Sequence, residues 1–300
     1  MNFKILCLLP LLAVLIISGC TIIPDGGGTE GQSNVLNLDI RIIPSSISSK
    51  VGQTLSVLAS VENVLDPEKS KTITSNVYIS DDCDLFEKIE PTICPDGSKP
   101  RDKTIIEGIG CDAVSVTSGG HKSIEWSLKP KPLTGTEQSC RLKLITDFDD
   151  EISSQTSIEY INYDYFKTLT NSPGSGLGVS KNDGPVKIYL SVESEQPKKV
   201  VDSEKSFSTI SLNIENRGEG TVQNVIILDS NIFDTQKFKS IDNCQFKKGE
   251  VFDLKGAKKI KFLCNVEDPT GFATTSTKQM TISAKYTYQL PYETDLVTVT

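Results

Sequence analysis

The residues of this 300-residue chain that could carry chemistry are eight cysteines, one histidine and two short acidic runs. Nucleophilic catalysis needs a base held beside the nucleophile, most often histidine. His121 stands in Ser118-Gly119-Gly120-His121-Lys122, where the glycines read as a hairpin turn and account for the segment without chemistry. No Gly-x-Ser-x-Gly elbow accompanies it. Asp147, Asp149, Asp150 and Glu151 form one acidic run, and Asp81, Asp82 and Asp84 flank Cys83 in another. Calcium takes several oxygens from one loop. Neither run has the glycine and terminal glutamate spacing of an EF-hand, so solvated loop charge is the simpler reading. A glycosidase needs two carboxylates across a cleft, and a sequence does not place them in space. The expectation is a non-enzymatic protein with no catalytic residues, no cofactor and no metal.

The cysteines point to covalent stapling. Cys7 and Cys20 lie in an apolar N-terminal segment, which leaves Cys83, Cys94, Cys111, Cys140, Cys244 and Cys264. An even number in an exported chain argues for disulfides. Cys244 and Cys264 are alone in the second half and pair by default. The first four allow three pairings, of which proximity favours Cys83–Cys94 and Cys111–Cys140. Thiolate metal binding would call for close-spaced ligand pairs, and the chain has no Cys-x-x-Cys.

The N-terminus decides the compartment. Met1–Cys20 reads MNFKILCLLPLLAVLIISGC: Lys4, an apolar run from Ile5 to Ile17, then small residues before Cys20. This is the layout of a secretory signal, and the run is short for a membrane span. Ile17-Ser18-Gly19-Cys20 resembles the prokaryotic lipobox, which implies cleavage after Gly19 and a diacylglyceryl group on the Cys20 thiol. Two acyl chains give stable anchoring. The alternatives are an ordinary signal peptide with an incidental cysteine, or an uncleaved anchor. Residues 21–34 read TIIPDGGGTEGQSN, a flexible Gly-rich tether. The expected address is the extracytoplasmic face of the cell membrane.

From Leu36 onward the apolar residues alternate with period two, the mark of strands with one wet face. Leu36, Leu38, Ile40 and Ile42 do so, as do Leu55, Val57, Ala59 and Val61, and later Met280, Ile282, Ala284, Tyr286 and Tyr288. Residues 167–184, KTLTNSPGSGLGVSKNDG, lack this period and read as a linker. The expected organisation is a signal peptide over 1–19, a lipidated tether over 20–34, one β-sandwich over 35–166, a linker over 167–184 and a second sandwich over 185–300. The halves look like divergent repeats: Val61-Glu62-Asn63 resembles Ile214-Glu215-Asn216, Ile124-Glu125-Trp126 resembles Ile260-Lys261-Phe262, and Leu142-Lys143-Leu144 resembles Met280-Thr281-Ile282. Seven or eight short strands per half suit an immunoglobulin-like Greek key. The fold class is therefore all-β, with two tandem Ig-like β-sandwich domains. Two tyrosine clusters, Tyr160 to Phe166 and Tyr286 to Tyr292, read as strand-end packing, with sugar or protein contact as the alternative.

Leu212–Leu228 reads LNIENRGEGTVQNVIIL. A strand ends in Glu215-Asn216, Gly218 and Gly220 form a turn at positions expected to need positive φ, and a new strand opens at Thr221. The Asn216, Gly218 and Gly220 phrase resembles the CARDB-type, S-layer-associated Ig-like domains of archaeal and some bacterial surface proteins. In the first half only Asn63 matches, since Leu65 and Pro67 stand where the glycines would be. The resemblance implies adhesion or spacing, with no catalytic residues to carry over. The net charge of −8 and the pI of about 4.9 argue against nucleic acid as a partner. The function expected is a binding, adhesion or spacer module of the envelope, attached to the membrane by its lipid and contacting envelope proteins or glycans. The alternatives are an accessory or ligand-binding subunit of a secretion, pilus or transport complex, and an extracellular carbohydrate-active enzyme or its accessory domain.

Overall fold

The computed structural model describes residues 35–300, except 49–51, 89–91, 102–107, 134, 136, 170–183, 193–197, 202–205, 235–240 and 255. The signal segment, Cys20, the tether and most of the expected linker lie outside the described residues. No described helix is long and apolar enough to cross a membrane.

The described chain is all-β. Its strands are β1 (Leu36–Ile43), β2 (Ser46–Ile47), β3 (Leu55–Asn63), β4 (Thr72–Ser80), β5 (Phe86–Lys88), β6 (Lys99–Arg101), β7 (Ile109–Thr117), β8 (His121–Pro130) and β9 (Gln138–Asn162). A single turn and a half of helix follows, α1 (Tyr163–Thr168), capped by Asn162, whose side chain accepts from Asp164 N and Tyr165 N. Then come β10 (Val186–Val192), β11 (Lys198–Val201), β12 (Phe207–Asn216), β13 (Thr221–Ser230), β14 (Ile241–Asp242), β15 (Val251–Phe252), β16 (Lys259–Glu267) and β17 (Thr275–Val299).

Three sheets result. One is built from the first half alone, in the order β1-β3-β8-β5. A second comes from the second half alone, in the order β10-β12-β16-β14. The third is shared, in the order β15-β13-β17-β9-β4-β7-β6, with β11 added to β9 and β2 added to β17. The two halves repeat one plan. β3 lies between β1 and β8 as β12 lies between β10 and β16, and β4 lies between β7 and β9 as β13 lies between β15 and β17. The three residue triplets that resemble each other in sequence fall on β3 and β12, β8 and β16, and β9 and β17.

The centre of the shared sheet is a pair of 25-residue strands, β9 and β17. They run antiparallel from Gln138↔Val299 to Ile161↔Thr275, with one irregularity between Glu293 and Leu296. Each strand begins in one sandwich and ends in the other. The early part of β9 pairs with β4, and its later part carries Thr156, whose Oγ1 donates to Leu190 O of β10 at 2.8 Å. The middle of β17, Ile282 to Gln289, pairs with β13, and its distal part, Tyr292–Val297, lies beside Ile40 and Ile42 of β1. The sequence halves 35–166 and 185–300 therefore do not each own a closed pair of sheets. Residues 285–289, Lys-Tyr-Thr-Tyr-Gln, suit the path: Tyr286, Thr287 and Tyr288 are strand formers, and the stretch offers no turn residue at the midpoint.

Alternation fills both interiors. Leu55, Val57, Ala59 and Val61 of β3 face Ile124, Trp126 and Leu128 of β8 along the first outer sheet, and all are buried. Ile188 pairs with Ile214 and Leu190 with Leu212 in the second, and Val186 and Ile210 are buried on the same strands. Each such side chain contributes about 1.5–3 kcal/mol on burial. Trp126 also ties its sheet to the shared one, since its Nε1 donates to Ile109 O of β7 at 3.1 Å. Trp126→Ala should cost about 3–5 kcal/mol of stability; chemical denaturation followed by far-ultraviolet circular dichroism checks this, and a loss under about 1 kcal/mol contradicts the packing described.

Candidate functional site

The cysteine pairing differs from the expectation drawn from proximity. Cys83 bonds Cys140, Cys94 bonds Cys111 and Cys244 bonds Cys264. Nearness along the chain misled because β4 and β9 are neighbours: β4 ends at Ser80, beside Lys143 of β9, which brings Cys83 to Cys140. Cys111 stands on β7, and a bridge between Ile93 and Glu125 of β8 brings Cys94 up to it. The bonds close separations of 57, 17 and 20 residues, worth about 3–4 kcal/mol each in the chain-entropy account.

The acidic run around Cys83 is a folded turn. Asp81 is fully buried and accepts from Cys83 N at 3.1 Å and Phe86 N at 2.9 Å. Burial pushes its carboxyl above the ordinary carboxylate value, while the backbone N–H groups of Phe86, Cys83 and Leu85 pull it back. Asp82 pairs with Lys143 and Asp84 with Lys131 on the surface. Among the described residues, the Asp81, Cys83 and Cys140 ligand atoms converge within 4.8 Å of one another. The two sulfurs are bonded to each other, which removes them as thiolate ligands.

The second acidic run is not a loop. Asp147, Asp149 and Asp150 sit mid-strand in β9, at the centre of the shared sheet, and each is tied to the opposite half. Asp147 accepts from Gln289 Nε2 at 2.9 Å and from Tyr78 OH of β4 at 3.1 Å. Asp149 accepts from Thr287 Oγ1 at 2.8 Å and faces Lys285 Nζ at 3.1 Å. Asp150, its side chain only 9% exposed, meets Lys71 Nζ at 2.6 Å and accepts from Tyr286 OH at 3.1 Å. Phe148 and Tyr288 pack beneath in a tilted arrangement, with centroids 5.5 Å apart. A shallow hollow over Thr74, Asn76, Asp147, Asp149 and Thr287 lies on the outer face. The carboxylates act as cross-links between strands, a use that periodicity alone does not reveal. The strand-forming residues on both sides of Asp147–Glu151 were the available signal.

The tyrosine clusters divide by face. Tyr160, Tyr286 and Tyr288 are buried, whereas Tyr163 and Tyr292 are each 41% exposed. Burial is the main reason the hydroxyls resist ionisation. It pushes Tyr78, Tyr160 and Tyr288 up to about 12 and raises Tyr286 well above its usual range, with the Asp150 charge adding to the last. His121 is exposed at the first position of β8, opposite Glu62.

Asn216, Gly218 and Gly220 do come together. Asn216 Nδ2 donates to Gly220 O at 2.7 Å, and its Oδ1 accepts from Gly218 N at 3.1 Å. Gly220 N donates to Tyr288 OH at 2.6 Å. Neither glycine has positive φ, contrary to the sequence expectation. Gly220 is required by close approach instead: a Cβ there would meet Gln289 O at 2.2 Å. Asn63 does the same work in the first half without glycines. Its Oδ1 accepts from Leu65 N, two residues on, and its Nδ2 donates to Lys71 O just before β4, as Asn216 does to Gly220 O just before β13. The next residue matches too, since Val64 N donates to Val35 O and Arg217 N to Pro185 O. The first turn is longer, with a short 3₁₀ turn at Pro67–Lys69, so the glycines are replaced while the asparagine stays.

No protein-family model matches this chain, and no curated protein matches it.

Gly220→Ala should destabilise the fold by about 1–3 kcal/mol through overpacking, read as a lower melting temperature; an unchanged melt contradicts the turn's contact with Gln289. The tyrosines give a pH prediction. Their neutral forms are favoured in the folded state, so the stability they contribute is present below pH 10, the ordinary value, and is lost as pH rises through about 12. Ultraviolet titration should show Tyr78, Tyr160, Tyr286 and Tyr288 silent near pH 10 and released on unfolding; full ionisation of all tyrosines near pH 10 in folded protein contradicts this.

Proposed function

We propose that this chain is a non-enzymatic lipoprotein of the cell surface, serving as a stiff spacer and binding module for other envelope proteins or glycans. The observation that carries the reading is the long β9–β17 pair. Two 25-residue strands paired from one end to the other, with a single irregularity between Glu293 and Leu296, give a rod. At roughly 3.4 Å per residue it is about 80 Å long. A spacer has to resist bending, and a sheet that passes through both sandwiches does so better than two domains joined by a flexible linker.

The remaining features fit this role. Cys20 follows a signal-like segment in a lipobox-like tetrapeptide, and a Gly-rich stretch separates it from β1. Diacylation would hold the body at the membrane, and the tether would let it swing there. Asn216, Gly218 and Gly220 support an Ig-like surface module of CARDB type, in which the turn serves folding. The carboxylates of β9 are engaged by Lys71, Tyr78, Tyr286, Thr287 and Gln289, which suits cohesion of the rod.

The test is lipid labelling in a prokaryotic host fed an alkyne fatty acid. Wild-type protein should carry the label, stay with the membrane and give an intact mass that starts at Cys20. Cys20→Ser should lose the label and leave the membrane fraction. A wild-type protein that is unlabelled, or a Cys20→Ser variant that keeps the lipid, sinks the anchored-spacer reading.

A further inference from the structure

The shared sheet has an unusual property: each sandwich is completed by a strand that starts in the other. The outer sheets are made within one half each, β1-β3-β8-β5 before α1 and β10-β12-β16-β14 after it. Among the described strands the shared sheet joins them, through β9 with β17, helped by β11 on β9 and β2 on β17. The same relation holds in both directions, since the later part of β9 closes the second sandwich as the distal part of β17 closes the first. Among the described residues no disulfide crosses this ladder. Cys83–Cys140 and Cys94–Cys111 lie within the first half, and Cys244–Cys264 lies within the second. The halves are joined in sequence through residues 169–184, a stretch that can reach about 50 Å when extended.

A surface that accepts its other half accepts the same half from another molecule, because every contact is reproduced. We propose that this chain pairs with a second copy of itself by exchanging halves along the β9–β17 ladder. The first half of one molecule takes the second half of its partner, and the reverse pairing completes the dimer with the same register. The alternating inward residues hold that register, since a one-residue slip would turn Phe148, Ile152, Ile158 and Tyr160 outward. The guarded edges of the sheet favour this partner over a foreign strand. Near the free edge of β17, Pro291 lacks an N–H, Glu293 and Asp295 add charge, and the irregularity between Glu293 and Leu296 breaks the ladder. Within one molecule the connection raises the effective concentration to the millimolar range. The single chain therefore dominates in dilute solution, and exchange grows with local concentration, as on a crowded membrane.

The experiment uses two full-length chains with different tags on the first half and different masses in the second. Each carries a protease site between 170 and 183, and each carries Ser153→Cys and Ser283→Cys, which face each other across the ladder. Mixed chains are cut, unfolded under reducing conditions that open the 153–283 bond, and refolded together with an oxidant. Tag pull-down should return second halves of both masses in statistical proportion, joined by a 153–283 disulfide on a non-reducing gel. Refolding before cutting should give fewer hybrids at low concentration, rising with concentration. Halves that part after cutting, or that re-form only with their original mates, overturn the proposal. Hybrids without the disulfide overturn the ladder as its route. If cut halves do not refold, the two uncut chains are co-expressed, purified and then cut; hybrids support the exchange, and their absence rejects it.

Discussion

The β9–β17 pairing is the constraint on which the rest of this structure depends. Each half builds a four-stranded outer sheet with one apolar face, and such a face is stable only when another layer covers it. The cover comes from β9 and β17, and neither strand belongs wholly to one half. The cores are consequently coupled. Ile152, Ile158 and Tyr160 of β9 are buried in the interior that the second half lines, and Val297 and Val299 of β17 are buried at the end of β17 that pairs with the first half.

Polar chemistry is arranged around the same pair. Three aspartates at the centre of β9 would repel one another if left bare. Each instead faces a donor from β17 or from β4 and the residue before it: Gln289 and Tyr78 for Asp147, Thr287 and Lys285 for Asp149, Tyr286 and Lys71 for Asp150. The Asp150 side chain is more enclosed than that of Asp149. A buried charge is costly without partners, and its two partners come from opposite halves of the chain. The cluster thus specifies register at the point where the strands pass from one sandwich to the other, a use of buried charge that stability alone does not require. Tyr288 links this centre to the Asn216–Gly220 turn through the Gly220 N–H.

The repeat relation gives the architecture its economy. Asn63 and Asn216 each bind the N–H two residues on, and each closes the loop to the next strand by donating to the carbonyl just before it. The glycines that make the second turn recognisable are a local consequence of its shortness. A repeat of this kind explains how two sandwiches with unrelated disulfide positions share one plan. The covalent bonds staple each half separately, while the ladder joins them.

The sequence by itself determined the all-β class, the alternation that sorts each strand into a wet and a dry face, and the triplets that mark equivalent strands. Those are local properties, fixed by side-chain type and a period of two. It also isolated Cys244 with Cys264, because no other cysteine lies in that half. The tertiary structure decided what depends on distance in space. Cys83 meets Cys140 because β4 lies beside β9, although Cys94 is nearer along the chain. Asp147–Asp150 lie mid-strand because strand formers flank them, where acidic composition alone suggested a loop. The path of β9 and β17 straight through two sandwiches follows from long-range pairing, which no local pattern encodes. A strand that turns back and a strand that runs on have the same alternation, and only the neighbour across the ladder distinguishes them.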